Sequence, residues 1–270
     1  MTNIQHASFT GGIPAAYDRH LGAVVFEPYA RDLARRIPIH EGVRVLETAC
    51  GTGIVTRRML DHLPTSGQLV ATDLNQAMVD FAKAALPHDP RLEWRTVDAQ
   101  SLPFPDGSFD VYVMQFGIMF VPDKPRALLE ARRVLRTGGT LLMSAWDSFQ
   151  KNPFGRITDQ VLRSAFPQDP PTFYRTPFGD HDPAEHRRRV EAAGFHDVKV
   201  EAVAFESMAE SAEDLAKGLV RGNPVSIAIG ERGGATHEEV EKLVVAALRR
   251  ELGDRPVRNM LHAWVVSATA

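Results

Sequence analysis

The apolar residues near the start of the chain repeat at a helical period. Phe26, Tyr29, Ala30, Leu33, Ala34 and Ile37 fall at i, i+3, i+4, i+7, i+8 and i+11, one face of a helix that Pro38 and Gly42 close. A short apolar run, Val43–Leu46, then has strand length. Strand-like runs follow at Gln68–Thr72, Leu92–Val97, Phe109–Met114 and Thr140–Trp146. Between them lie helical patterns near Ile54–His62, Asn75–Leu86 and Asp123–Leu135, the last with Gly138-Gly139 expected as its C-terminal stop. Such alternation predicts an α/β fold with a doubly wound, mostly parallel sheet. Ligands of these sheets bind beyond the carboxyl ends of the strands.

After Trp146 the pattern changes. Residues 148–180 interleave Pro153, Pro167, Pro170, Pro171 and Pro177 with Phe149, Phe154, Phe166, Phe173, Tyr174 and Phe178. This predicts an irregular insertion with one helix near Phe154–Phe166. A helix at Pro183–Ala193, stopped by Gly194, and a strand at Val198–Phe205 resume the alternation. Residues 210–252 are helical again, with Val240, Leu243, Val244, Ala247 and Leu248 on one face, and Met260–Ser267 is a closing strand. The strand-like runs number seven. The expected organisation is an N-terminal helical segment (1–42) closing over a ligand, a core (43–147), a lid insertion (148–180), a core helix and strand (181–205), a helical lid insertion (206–257) and a final core strand (258–270).

Composition narrows the class. A formal charge of −3 over 270 residues offers no basic footprint for nucleic acid. The single cysteine, Cys50, excludes an internal disulfide and any multi-cysteine metal site, and no metal is expected. No basic-then-apolar leader opens the sequence, and no apolar run approaches the ~20 residues that span a bilayer. The expectation is a cytoplasmic protein with a small-molecule partner and no membrane span; composition sets no oligomeric state. Of the histidines, His6, His40, His62, His88, His186, His196 and His237 have surface surroundings, and His262 alternates with core positions.

The chemistry concentrates at Val43–Gly53, where an apolar strand runs into a glycine turn, and at Asp73, the end of the next strand. A strand, tight turn and helix start bring bare backbone N–H groups against a ligand's anionic end. A carboxylate about 20 residues on is placed to grip a ribose diol. Together they imply a nucleoside-containing cofactor. A dinucleotide fingerprint wants Gly or Ala at position 56, where this chain has Thr56, which counts against nicotinamide or flavin.

Four ordered blocks carry a resemblance: 45–53 (VLETACGTG), 70–78 (VATDLNQAM), 98–110 (DAQSLPFPDGSFD) and 130–141 (EARRVLRTGGTL). They resemble the class I S-adenosylmethionine-dependent methyltransferases, particularly small-molecule members similar to the ubiquinone/menaquinone-biosynthesis enzymes. The resemblance implies S-adenosyl-L-methionine as cofactor, with the N–H groups around Ala49, Gly51 and Gly53 facing its methionine end. It implies Glu47 toward the ammonium and sulfonium, Asp73 on the ribose hydroxyls, and Leu74 and Met78 among the cofactor-binding residues. Asp98 and Ala99 match the adenine-reading pair, and Gln115 the junction with the acceptor. The family's usual loop opens Asp-x-Gly, whereas this chain has Glu47-Thr48-Ala49; a methyl at residue 49 calls for a negative φ there.

Methyl transfer from a sulfonium needs alignment and exclusion of water, and some acceptors also need a base. His20 and Tyr17 are the catalytic candidates, with His181 behind them. Phe26, Trp146, Phe173 and Tyr174 are candidate walls for a flat or lipophilic acceptor, although an aromatic stripe is more often core. Two other readings stay open: a noncatalytic cofactor-binding or scaffold protein, and a nicotinamide-dependent oxidoreductase.

Overall fold

Residues 45–47 are buried because β1 (Arg44–Glu47) lies between two parallel partners, β2 (Gln68–Asp73) and β4 (Phe109–Gln115). A strand covered on both faces carries a continuous apolar run rather than an alternating one. The computed structural model describes residues 7–270, so His6 lies outside the described residues. They form two compact units. The core unit holds Tyr29–Ala145, Asp182–Val203 and Ala263–Ala270; the insertion unit holds the residues before Tyr29, Trp146–His181 and Ala204–His262.

Seven strands form one sheet in the order β3-β2-β1-β4-β5-β7-β6, with β3 at Leu92–Thr96, β5 at Leu135–Trp146, β6 at His196–Ala209 and β7 at Val257–Thr269. β3, β2, β1, β4 and β5 are parallel. Hydrogen bonds join Gly138 to Ala270 and Asp147 to His262, so β7 runs against β5. The expected doubly wound, mostly parallel sheet is therefore what forms. Chain order reverses between β1 and β4, and this switch point is where such sheets open a crevice.

Four helices flank these strands: α2 (Glu27–Arg36), α3 (Ile54–Leu60), α4 (Gln76–Ala85) and α5 (Lys124–Val134). Asp123 caps α5 by accepting from the Arg126 N–H, an end-of-helix donor that otherwise lacks a partner. Two expectations are corrected here. Gly138-Gly139 does not stop a helix: α5 gives way at Leu135, and the glycines lie inside β5. There the register to β4 slips between Phe109↔Leu135 and Val111↔Thr140. Gly138 takes φ +75°, as a bulge requires, so bulge and helix stop share one sequence signal. His186, expected at the surface, is buried on α8 (Pro183–Ala192), the helix that packs against α5.

The insertion unit is more helical than its proline content suggested. It holds α1 (Ile13–Tyr17), a π-helical segment Asp18–Phe26, α6 (Pro153–Ala165), α7 (Arg175–Gly179), α9 (Ala212–Arg221), α10 (Val225–Arg232) and α11 (His237–Leu252). Aromatic rings make its interior. Trp146 contacts Phe26, Phe154 and Phe178 at centroid separations of 6.2, 5.8 and 6.0 Å, and Phe154 meets Phe178 edge-on. Gly155 makes room for this cluster: a Cβ there would stand 2.2 Å from the Phe178 ring.

Candidate functional site

The turn after β1 is a run of unusual backbone. Ala49, Gly51 and Gly53 all take positive φ, at +54°, +56° and +82°. The expectation that Ala49 would need a negative φ is corrected: its methyl sits in the left-handed region, at a cost of about 1–2 kcal/mol. Alternating left-handed residues turn successive N–H groups to one side, the concave arrangement that holds anions. The loop is tied down at both ends. Thr48 N–H donates to Val113 O and Cys50 N–H to Thr72 O, each at 2.9 Å. In front of it there is space, since a Cβ on Gly51 would meet nothing within 4 Å.

Two acids close around this turn. Asp73, at the end of β2, accepts from the Gly51 N–H at 2.9 Å with one oxygen and from the Asn75 N–H at 2.8 Å with the other. Glu47 ends β1 and accepts from the Thr56 hydroxyl at 2.5 Å. Burial pushes the Glu47 carboxyl up to about 8, opposed by the Thr56 bond and reinforced by the nearby charge of Asp73. Asp73 is also raised by burial, against its hydrogen bonds. The Cys50 thiol is pushed well up by burial and both acids, which disfavours the reactive thiolate.

Asp98 follows β3, and the Val97 N–H to Asp73 O bond of 2.9 Å joins the two strand ends. Its carboxylate accepts from the Gln100 N–H at 2.8 Å and from the Gln100 amide at 3.0 and 3.1 Å. Asp73-Leu74-Asn75 and Asp98-Ala99-Gln100 thus repeat one device, an acid bonded two residues on. Leu74 is exposed at 56%, whereas Met78 is buried core. Gln115 ends β4 beside Ser144 of β5. The next residue, Phe116, takes φ +51°, a strained backbone for a bulky side chain.

Every expected cofactor residue therefore belongs to the core unit, at or just beyond the carboxyl ends of β1 to β4. The donor set suits a nucleoside with an amino-acid tail. It offers N–H groups in a concave turn, buried acids, and Thr52 Oγ1, which is buried without a hydrogen-bond partner. Thr56, Asn75, Gln100 and Thr52 escaped the sequence reading. The doubled Asp-x-Asn/Gln spacing at residues 73–75 and 98–100 was a usable signal for two of them.

The catalytic and acceptor candidates belong to the insertion unit. His20 Nδ1 lies 2.7 Å from Asp214 Oδ1, a bond that leaves Nε2 as the remaining ring nitrogen. Asp214 lies in the first turn of α9, where its N–H donates to the Ser211 cap. Tyr17 stacks on Phe26 at 4.6 Å. Phe173 and Tyr174, expected as acceptor walls, are packed interior. The Tyr174 hydroxyl donates to Leu219 O at 2.6 Å and accepts from Asn223 at 3.1 Å, so its polar end is taken. His181 is exposed, its Nδ1 2.9 Å from Phe178 O. Among the described residues no helix is long and apolar enough to cross a membrane, and no cluster of three metal-ligating side chains occurs.

A family model described as "Methyltransferase domain" matches residues 46–143. Two similar proteins are ubiquinone/menaquinone biosynthesis C-methyltransferases UbiE. That of Hahella chejuensis is 38% identical over 131 residues, 47% of this chain and 49% of the relative. That of Paracoccus denitrificans is 43% identical over 107 residues, 38% and 42% of the two. The chain spans about half the length of these curated relatives. Among solved structures, the fold is similar to phosphoethanolamine N-methyltransferase 2 of Haemonchus contortus in complex with S-adenosyl-L-methionine. That match has a TM-score of 0.58 at 17% identity, over 95% of this chain and 56% of that one. The four blocks and these matches point the same way: residues 46–143 are similar to a methyltransferase domain, and the fold is similar to that of a solved methyltransferase.

Proposed function

We propose that this protein binds S-adenosyl-L-methionine on the core unit and transfers its methyl group to a small acceptor. One observation carries the reading: Glu47 and Asp73 end β1 and β2 at a positive-φ turn that faces open space, and Asp98 lies two residues beyond β3. When bound, the cofactor supplies a methyl group already activated on a sulfonium. The loop N–H groups around Ala49, Gly51 and Gly53 would hold its carboxylate, Glu47 its cationic end and Asp73 the ribose hydroxyls. Asp98, with the Ala99 N–H, would read the adenine edge, and Leu74 and Met78 would supply apolar surface.

The acceptor we propose is a hydroxylated aromatic molecule, in keeping with the quinone-biosynthesis names of the similar proteins. Removing its proton would fall to His20, with Nδ1 held by Asp214 so that Nε2 takes the proton. Tyr17, three residues before His20, stacks on Phe26, which meets Trp146 in turn. Calorimetry with S-adenosyl-L-methionine and with NAD tests the cofactor; binding of NAD alone would overturn the reading. Mass spectrometry of incubations with quinols, phenols and amines tests the acceptor. Methylation of the amines only would remove the hydroxylated-aromatic assignment.

A further inference from the structure

The most unusual charge arrangement in the core unit is a buried pair of acids with no cationic side chain paired to either among the described residues. Glu47 and Asp73 are exposed by 1% and 7%. The charged group that acts on Glu47 is Asp73, of the same sign, from the neighbouring strand. The other titratable group facing both is the Cys50 thiol in the turn, which adds no positive charge. A buried like-charged pair is costly, and it ionises fully only when a cation arrives from outside. What holds Glu47 ready is a hydroxyl: Thr56, itself wholly buried, reaches Oε2 from the first turn of α3. A second hydroxyl, Thr72 Oγ1, donates to the Glu47 carbonyl at 3.0 Å and fixes the backbone beneath it.

We propose, resting on the cofactor reading above, that Thr56 is a positioning residue that makes this site discriminate charge, favouring the cationic sulfonium donor over its neutral thioether product. The Thr56 hydroxyl donates to the carboxylate and so stabilises the ionised form of Glu47 when a cation binds. A charge-assisted hydrogen bond of this kind is stronger than a neutral one, so it favours the ligand that brings the extra positive charge. The product keeps the amino-acid tail and the adenosine but lacks the charge on sulfur, and gains less. Because Glu47 must lose a proton to act, donor binding releases one, and donor affinity rises with pH until Glu47 is ionised in the free protein.

Calorimetry with S-adenosyl-L-methionine and S-adenosyl-L-homocysteine, from pH 6 to pH 9 in buffers of different ionisation enthalpy, tests this. Thr56→Val keeps the shape and removes the donor. The donor-to-product affinity ratio should fall about tenfold, and the rise of donor affinity should move to higher pH. Thr56→Ser, which restores a hydroxyl, should return both to the native values. Glu47→Gln serves as a second variant should the valine protein fail to fold, and it should reduce proton release on donor binding. An unchanged ratio and pH profile in Thr56→Val, or proton release undiminished in Glu47→Gln, overturns the role of this pair. If the native protein binds neither ligand, the cofactor reading itself fails, an outcome distinct from both.

Discussion

The two units differ in what they gather at one place. Around its glycine turn the core unit buries Glu47, Thr48, Thr52, Thr56, Thr72 and Asp73, all within a single strand–helix–strand stretch. The insertion unit buries rings: Phe26, Trp146, Phe154, Phe173, Tyr174 and Phe178, gathered from distant parts of the chain. Buried polar groups must be satisfied, and in the core unit neighbouring strand ends do this only in part. Rings need only shape. The contrast fits the proposal that the core unit receives a charged ligand, whereas the ring cluster of the insertion unit is satisfied by its own packing.

The largest expected effect breaks the core side of that contrast. Asp73→Ala removes the acceptor for the Gly51 and Asn75 N–H groups and the proposed partner of the ribose. Hydrogen bonds to charged groups contribute about 1.5–3 kcal/mol each, so cofactor affinity should fall by two orders of magnitude or more. Tyr174→Phe, which removes a hydroxyl bonded wholly inside the insertion unit, should leave that affinity unchanged in the same titration. Equal losses in the two variants would erase the distinction between the units.

Acid–base behaviour gives the next effect. Glu47 keeps its proton in the folded protein up to about pH 8, whereas its ordinary value is 4.5. Between those values unfolding releases a proton, so the stability Glu47 contributes is greatest below about pH 4.5, falls as pH rises and levels off above about 8. Asp73, raised by the same burial, adds with the same sign. Urea midpoints of the ligand-free protein at pH 5 and pH 8 should differ by a few kcal/mol in stability, and Glu47→Gln should remove most of that gap. The buried Tyr174 hydroxyl, raised above its ordinary value, stays neutral throughout this window and contributes nothing.

A single substitution, glycine to alanine, sharpens the contrast further. At Gly155 the new methyl would lie 2.2 Å from the Phe178 ring, and overpacking of this kind costs about 1–3 kcal/mol. Thermal unfolding should show that loss, with cofactor affinity retained. At Gly51 the methyl meets open space, so only the φ of +56° is penalised, by about 1 kcal/mol. Here affinity should fall more than stability, because the methyl enters the space assigned to the cofactor.

The same contrast explains what could be read from the chain alone. Val43–Gly53 and Asp73 were legible because their geometry is local: a strand, a turn and a helix set each residue's place within a few neighbours. The 148–180 insertion was legible only as aromatic, since Phe154 and Phe178 find one another through tertiary packing that no period encodes. Gly138-Gly139 was misread because positive φ serves helix stops and bulges alike. Thr56 looked like a missing small residue; its hydroxyl gained meaning once Glu47 stood beside it. Asp214 was beyond sequence reasoning, lying 194 positions from His20.

The smallest effect tests why the turn tolerates Ala49. Its strained methyl fills space against the backbone after β4, where a Cβ on Gly117 would stand 2.6 Å from it and 2.9 Å from Met114 Cγ. Residue 117 is thus glycine for space and not for conformation, since its φ is −97°. Gly117→Ala alone should cost about 1–3 kcal/mol by overpacking. Ala49→Gly alone should be nearly neutral, because relief of the left-handed strain is offset by the added freedom of the unfolded chain. Combined, the two move the methyl from one strand end to the other, and only the flexible Met114 side chain still has to shift. The double variant should therefore be more stable than the sum of the single effects by about 1 kcal/mol, a coupling that denaturant titration resolves. Strict additivity would mean that Ala49 does not set the space at Gly117, and the left-handed methyl would then need another cause.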